Sequence, residues 1–311
     1  MLEKTEFKGW PNCYRLYNDL MDLIVTTDVG PRIIRFGFVD EHNEFKVFEH
    51  QAGKIGEDTF EVSDDGWCIW GGHRLWVAPE TREGTYYPDI DPVQLEEHDA
   101  FIRLIQPVEK TTGIQKEIDI SLSPDAPHVQ LVQRLRNTNQ EPVTLAPWGL
   151  NVMAPGGVGI VPIIRRIERS DEFRPPTNTI ALWDYTDMSD PRWSWGKNYV
   201  MAHQDPAHAS AQKIGVWAPD GWAAYARAGH LFVARAAHQP DALYPDANSS
   251  IEVFFNDEFL EIETLGPLVT LESGAVVEHV EHWFLFRDVP EPASEADVDE
   301  HVLPIIAQTQ I

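Results

Sequence analysis

Apolar and polar residues alternate with a period of two along most of this 311-residue chain. The alternation runs through DLIVTTDVGPRIIRFGFV (22–39), FIRLIQPV (101–108), GIQKEIDISLS (113–123) and HVQLVQRLRNT (128–138), and returns in HLFVARAA (230–237), SIEVFFN (250–256), FLEIETL (259–265) and VVEHVEHWFLF (276–286). These runs are rich in Val, Ile, Phe and Trp and are bounded by Gly, Pro, Asn or Asp, which predicts strands. No amphipathic helical period of comparable length interrupts them, and 23 prolines and 20 glycines punctuate the chain. The expected fold is therefore all-β: two large antiparallel sheets packed face to face, with short helical turns only near the termini. Alternation puts Ile33, Leu131, Val253, Leu260 and Phe284 in the core. The stretch from Asp171 to Gln212 reads as a long ordered excursion, because its tryptophans and tyrosines would not stay exposed.

Composition narrows the class. No Gly/Ser linker, repeat or low-complexity tract divides residues 1–311, so a single domain is expected. The start MLEKTEFKGW lacks a basic region followed by an apolar run, and no stretch is long and apolar enough to span a bilayer, which points to a cytoplasmic protein without a membrane partner. Fifty acidic against 24 basic side chains leave a formal charge of -26, which repels phosphate backbones and argues against nucleic acid. Cys13 and Cys68 are too few for a disulfide scaffold and lack zinc-site spacing.

The densest candidate chemistry is WCIWGGHRLWVAPE at 67–80. Trp70 and Trp76 offer indole faces for the C–H face of a pyranose, while His73, Arg74 and Glu80 suit its hydroxyls and ring oxygen. The glycine pair lets backbone approach a ligand closely. A hairpin with core-facing aromatic packing is the structural alternative.

Three stretches, in order and well separated, resemble the galactose-mutarotase-like superfamily, in particular its branch with a DUF4380-type domain. They are WGGHRLWVAPE (70–80), RNTNQEPVTLAPWGLNVMAPGG (136–157) and FLEIETLGPLVTLESGAVVEHVEHWFLF (259–286), with a weaker fourth in GPRIIRFGF (30–38). The resemblance implies a β supersandwich and a small-molecule carbohydrate ligand. A mutarotase protonates the ring oxygen while a carboxylate takes the anomeric hydroxyl proton. The family's base lies on a late strand, where this chain has Ile262-Glu263-Thr264, so the resemblance makes Glu263 the base. Alternation puts Glu261 on the same face, where mutual repulsion raises the pKa of one of the two carboxylates, as suits a base. At the two places where aldose 1-epimerases carry histidines the chain has Trp70 and Trp148, whose indoles deliver no proton. His73 is the nearest replacement acid, or else a buried structural histidine. Arg74 either binds a sugar phosphate or carboxylate or pairs with Glu80. Asn151, beside Trp148, joins the expected ligand contacts.

Two later clusters add candidates. WDYTDMSDPRWSWGK (183–197) brings Trp193 and Lys197 to a lid, a wall or a packed loop, and YPDANSSIEVFFN (244–256) brings Tyr244 and Asp246 near the Glu263 strand. Metal binding is the rival chemistry: His279 and Glu281 share a strand face, with a third ligand drawn from His73 or Glu263. No metal ligand set or cofactor is assigned, and no phosphate loop or Gly-x-Ser-x-Gly elbow is present. A sugar binder, an isomerase and a metal-assisted enzyme remain open.

Overall fold

The computed structural model describes residues 1–163 and 177–311. In chain order the strands are β1 (Leu2–Phe7), β2 (Trp10–Tyr17), β3 (Met21–Thr26), β4 (Arg32–Phe38), β5 (Gly72–Ala78), β6 (Gln94–Glu97), β7 (Ile102–Ile105), β8 (Ile114–Leu122), β9 (His128–Asn137), β10 (Val143–Met153) and β11 (Val158–Pro162). There follow β12 (Ile180–Leu182), β13 (Trp193–Trp195), β14 (Tyr199–His203), β15 (Gln212–Val216), β16 (Trp222–Arg227), β17 (His230–Ala236), β18 (Ile251–Phe255), β19 (Leu260–Leu265), β20 (Val269–Leu271) and β21 (Val276–Phe286).

Among the described residues these form two antiparallel sheets. One runs β1-β2-β3-β4-β5-β10-β19-β18-β15-β12 with β20 alongside β10; the other runs β13-β14-β11-β16-β17-β21-β9-β8-β7-β6. The all-β sandwich expected from the alternation is present. The predicted excursion at 171–212 contributes β12, β13 and β14, while its first six residues lie outside the described ones.

Leu23, Ile33, Val253 and Leu260 of one sheet meet Leu104, Ile118, Leu131 and Leu285 of the other in a shared core. The aromatic seam of Phe36 and Trp283, with ring centroids 5.3 Å apart, locks the layers together. Each such fully buried side chain contributes about 1.5–3 kcal/mol. Phe284 is a correction: the inward face of β21 carries Glu281, Trp283 and Leu285, so Phe284 points outward. There it packs, partly buried, against a second cluster with Val298, Val302 and Ile306 of the C-terminal helical segment.

The short helices are not confined to the termini, as they were expected to be. A 3-10 segment at Gly56–Glu61 and an α turn at Arg82–Thr85 interrupt the interior of the chain, and Pro245–Asn248 forms a further turn with left-handed backbone at Asp246, Ala247 and Asn248. No helix among the described residues is long and apolar enough to cross a membrane.

Candidate functional site

Five neighbouring strands at the centre of the first sheet, β5-β10-β19-β18-β15, build the site on the face turned away from the core. Alternation sends Leu260 and Ile262 of β19 inward and Glu261 and Glu263 outward. The register then aligns Arg74, Leu150, Glu263, Glu252 and Gly215 in one row across the five strands. Two glutamates stand directly opposite each other in this row, an arrangement that destabilises a sheet unless it is neutralised.

Lys213 supplies the neutralising charge. Its Nζ lies 2.8 Å from Glu252 Oε2 and 3.0 Å from Glu263 Oε2, with the side chains of both glutamates fully buried. The same ammonium sits 4.5 Å over the Trp148 ring and 4.7 Å from the Trp183 ring centroid, an apolar enclosure in which cation–π attraction replaces hydration. Burial works against the charge on Lys213, but the two carboxylates more than reverse that, and its pKa is raised. Burial likewise raises Glu252 strongly, and it raises Glu263 against the opposing pull of Lys213.

Beside this cluster, Arg74 Nη2 donates to Glu261 Oε1 at 2.9 Å, and its guanidinium stacks on Trp76 at 4.1 Å. Arg74 Nε and Nη1, Glu263 Oε1 and Glu252 Oε1 are buried with no hydrogen-bond partner among the described residues. Buried polar atoms are usually paired, so this concentration of unpaired ones sets the cluster apart from the ordinary core.

A cleft of about 690 Å³ lies on this side of the protein. Trp67, Tyr86 and Trp183 form aromatic walls, and Glu80 and Asp246 present carboxylates. Tyr86 donates to Glu80 and packs 5.0 Å from Trp76, while Trp76 packs 5.4 Å from Trp148, so cleft wall and buried cluster are continuous. Asp246 begins three successive residues with φ of 49, 58 and 72°. Left-handed backbone costs a non-glycine residue roughly 1–2 kcal/mol, and such conformations gather at functional sites. Burial also raises the Asp246 pKa. A second cavity, about 400 Å³, lies where β1 and β2 approach β7 and is bordered by none of the expected site residues.

Solved structures share this architecture. A candidate aldose 1-epimerase of Klebsiella pneumoniae superposes with a TM-score of 0.63 at 13% identity, covering 100% of this chain and 87% of that one. A galactose mutarotase-like protein of Lactobacillus casei gives 0.57 at 10% identity, covering 88% and 100%. One from Clostridium acetobutylicum gives 0.55 at 10%, covering 92% and 98%. The chain has the galactose-mutarotase-like fold. Neither a protein-family model nor a curated protein matches it by sequence, so the likeness to the DUF4380-type branch rests on the motifs alone.

In this galactose-mutarotase-like sandwich Arg74, Trp76, Trp148 and Glu263 come together in the buried cluster, and Glu80 and Asp246 reach the cleft. Tyr244 packs under them with Trp76 and Trp148. Arg74 pairs with Glu261 and not with Glu80, because Glu261 projects from the same sheet face.

His73 is corrected by strand parity. It lies one residue from Arg74 on β5, hence on the opposite face, fully buried between the sheets. Its Nδ1 lies 2.9 Å from Asn151 Oδ1 and its Nε2 3.0 Å from Gln133 Oε1. Burial pushes its pKa down to about 4, with both amide contacts pulling the other way. Asn151 shares that interior placement and donates to Glu281 at 2.8 Å. Neither borders the cleft.

Trp70 is also displaced. Fully buried with a φ of 46°, it stacks with Arg32 at 4.7 Å in a separate cluster around Trp10. The neighbouring glycines serve packing rather than a ligand: a Cβ on Gly71 would lie 2.0 Å from Lys46 O, and one on Gly72 2.1 Å from Ile33 O. Trp193 is buried on β13 in the other sheet, against Phe255, and Lys197 is exposed at the β13–β14 turn. His279 and Glu281 share the inward face of β21, whereas Glu263 faces outward from its own sheet and cannot join them.

Sequence reasoning missed Lys213, Trp183 and Tyr86, while Trp67 belongs to the tryptophan-rich segment it singled out. Lys213 lies in QKIGV, an uninformative five-residue strand; a lysine within an otherwise apolar strand is the signal that was available.

Proposed function

We propose that the protein recognises a neutral carbohydrate in the aromatic-walled cleft above the Arg74–Lys213 cluster. The observation that carries this reading is the pairing of Trp67, Tyr86 and Trp183 walls with the Glu80 and Asp246 carboxylates in one cleft of about 690 Å³. Aromatic faces meet the C–H face of a pyranose and carboxylates accept from its hydroxyls, within the volume range of ordinary small-molecule sites. The names carried by structures of the same fold, galactose mutarotase-like and aldose 1-epimerase, favour the same ligand class.

Charge argues for a neutral sugar over a phosphorylated or acidic one. Arg74 and Lys213 are each engaged by glutamates, and Glu80, Asp246, Glu252, Glu261 and Glu263 outnumber them. An incoming anion would meet this excess, because Arg74 and Lys213 are already paired with glutamates and Arg82, the cation on the cleft rim, lies 3.6 Å from Asp65.

Binding is the primary reading. Glu263 is fully buried and no histidine lines the cleft among the described residues, which leaves Asp246, raised by burial, as the one acid candidate named at the cleft. The second reading is an isomerase in which Glu263 is the base, favoured by its unpaired Oε1 while Oε2 is held by Trp148 and Lys213. We assign the chain to the DUF4380-type branch on its motifs, working in the cytoplasm with its two buried thiols reduced.

NMR of a panel of fresh α-aldoses, their 6-phosphates and uronates, with wild type, Trp183→Ala and Glu263→Gln, tests both readings. Broadening of neutral aldose signals, weakened about tenfold in Trp183→Ala, is expected from the loss of aromatic contact. Faster anomeric exchange with wild type but not Glu263→Gln would establish the isomerase. A preference for anionic sugars, or no interaction with any sugar, would overturn the proposal.

A further inference from the structure

On the loop after β4 and the first residue of β17, the side chains of His42, Glu44 and His230 converge. Their donor atoms lie within 4.8 Å of one another. Glu44 Oε1 is 2.6 Å from His230 Nδ1 and 3.1 Å from His42 Nε2, and the two imidazoles stack 4.3 Å apart. The cluster joins one sheet to the other, and none of its residues borders the sugar cleft.

The second contact of His230 gives the arrangement its direction. Its Nε2 lies 2.8 Å from Glu41 Oε2, and Glu41 is held in turn by Arg287 at 2.8 Å. A neutral imidazole that donates from Nε2 to Glu41 presents a lone pair at Nδ1. A proton on Nδ1 satisfies the 2.6 Å contact with Glu44 in the metal-free protein, and a metal ion would take that proton's place between the same two side chains. A carboxylate on the far nitrogen of a metal-bound histidine is also the usual way such a ligand is oriented.

Glu44 is 1% exposed and His230 6%, so both are held rigidly, while the His42 side chain is 31% exposed and borders solvent. His42 Nε2 lies 3.1 Å from Glu44 Oε1 but makes no well-aligned hydrogen bond among the described residues. The site thus has two fixed ligands, one adjustable ligand and an open side through which an ion can enter.

We propose that His42, Glu44 and His230 bind a divalent transition-metal ion of the zinc class, with Glu41 orienting His230. Two imidazoles and one carboxylate suit zinc, cobalt or nickel, and remaining positions would be filled by water. Ligand atoms at about 2.0–2.1 Å around a tetrahedral ion stand roughly 3.3 Å apart, so loading lengthens the Glu44–His230 contact. The bound ion would clip the two sheets together at this end.

Chelator-treated, untagged protein titrated with Co²⁺ and Zn²⁺ tests the site. Expected are one equivalent of metal by elemental analysis, visible d–d absorption with Co²⁺, and a Tm raised by Zn²⁺. His42→Gln changes a partly exposed loop residue, so it should keep the wild-type circular dichroism spectrum and weaken binding at least tenfold. Glu41→Gln should weaken it about tenfold, as lost orienting partners do. Absence of stoichiometric binding in the wild type, or binding unchanged in folded His42→Gln, would overturn the proposal.

Discussion

Trp148 Nε1 donates to Glu263 Oε2 at 2.8 Å, so an indole on β10 orients a buried carboxylate on the neighbouring β19. Trp148, which the sequence resemblance sets at a histidine position, is therefore a hydrogen-bond partner of Glu263. It holds one oxygen of Glu263 and leaves the other unpaired among the described residues. Trp148→Phe keeps the ring and removes the donor. Hydrogen bonds to charged groups contribute about 1.5–3 kcal/mol, and urea unfolding at neutral pH should show a loss of that order. A change below about 0.5 kcal/mol, the range of ordinary surface substitutions, would show that the bond contributes little.

Lys213 carries the opposed pair of glutamates. Lys213→Met leaves Glu252 and Glu263 buried without their cation, which costs about 3–5 kcal/mol. The loss should shrink as pH falls. Burial raises both carboxyl groups above their unfolded values, so the folded state holds more protons, and their contribution is recovered on acidification and lost as pH rises through the folded pKa. Denaturant midpoints of variant and wild type at pH 7 and pH 5 check the sign; a gap that widens at pH 5 would contradict it.

Gly71 and Gly274 separate close approach from backbone conformation. Both have positive φ, 96 and 78°, but a Cβ on Gly71 would strike Lys46 O while one on Gly274 meets nothing within 4 Å. Gly274→Ala should cost about 1–2 kcal/mol from its left-handed backbone alone. Gly71→Ala should cost several kcal/mol more or abolish folding, as overpacking against immovable backbone does. Equal thermal shifts for the two would remove the distinction.

The acid limb should depend on His282. Burial pushes its pKa down to about 4, helped by His128, whose Nε2 lies 2.9 Å from His282 Nδ1. The unfolded ring titrates near 6.5, so between those values the unfolded state binds more protons and stability from this group is lost as pH falls. His282→Gln should therefore gain on wild type as pH drops from 6.5 to 4. Parallel stability curves would show that the ring does not titrate between the two states.

Period-two alternation was enough to place β3, β4, β7, β8, β9, β17, β18, β19 and β21, because each presents one face to a continuous core and one face away from it. Strands such as β5 (GHRLWVA) and β15 (QKIGV) escaped that reading because their apolar and polar residues do not alternate; burial along the whole length is not the reason, since β3, β17 and β19 share it. Phe284 misled for another reason, since a C-terminal helical segment covers the outer face of β21 and lets an outward position be apolar.

The sequence by itself determined the sandwich and the parity of Glu261 and Glu263, since side-chain direction in a strand follows from local backbone geometry. Tertiary structure alone decided what those carboxylates meet. Lys213 is 50 residues from Glu263, and Arg74 is 187 from Glu261. Glu44 is 186 from His230. Such partners are chosen by strand order and register across a sheet, or by how two sheets face each other. A one-residue difference on β5 then sends Arg74 to the cleft side and His73 into the core, because neighbouring side chains of a strand point to opposite faces.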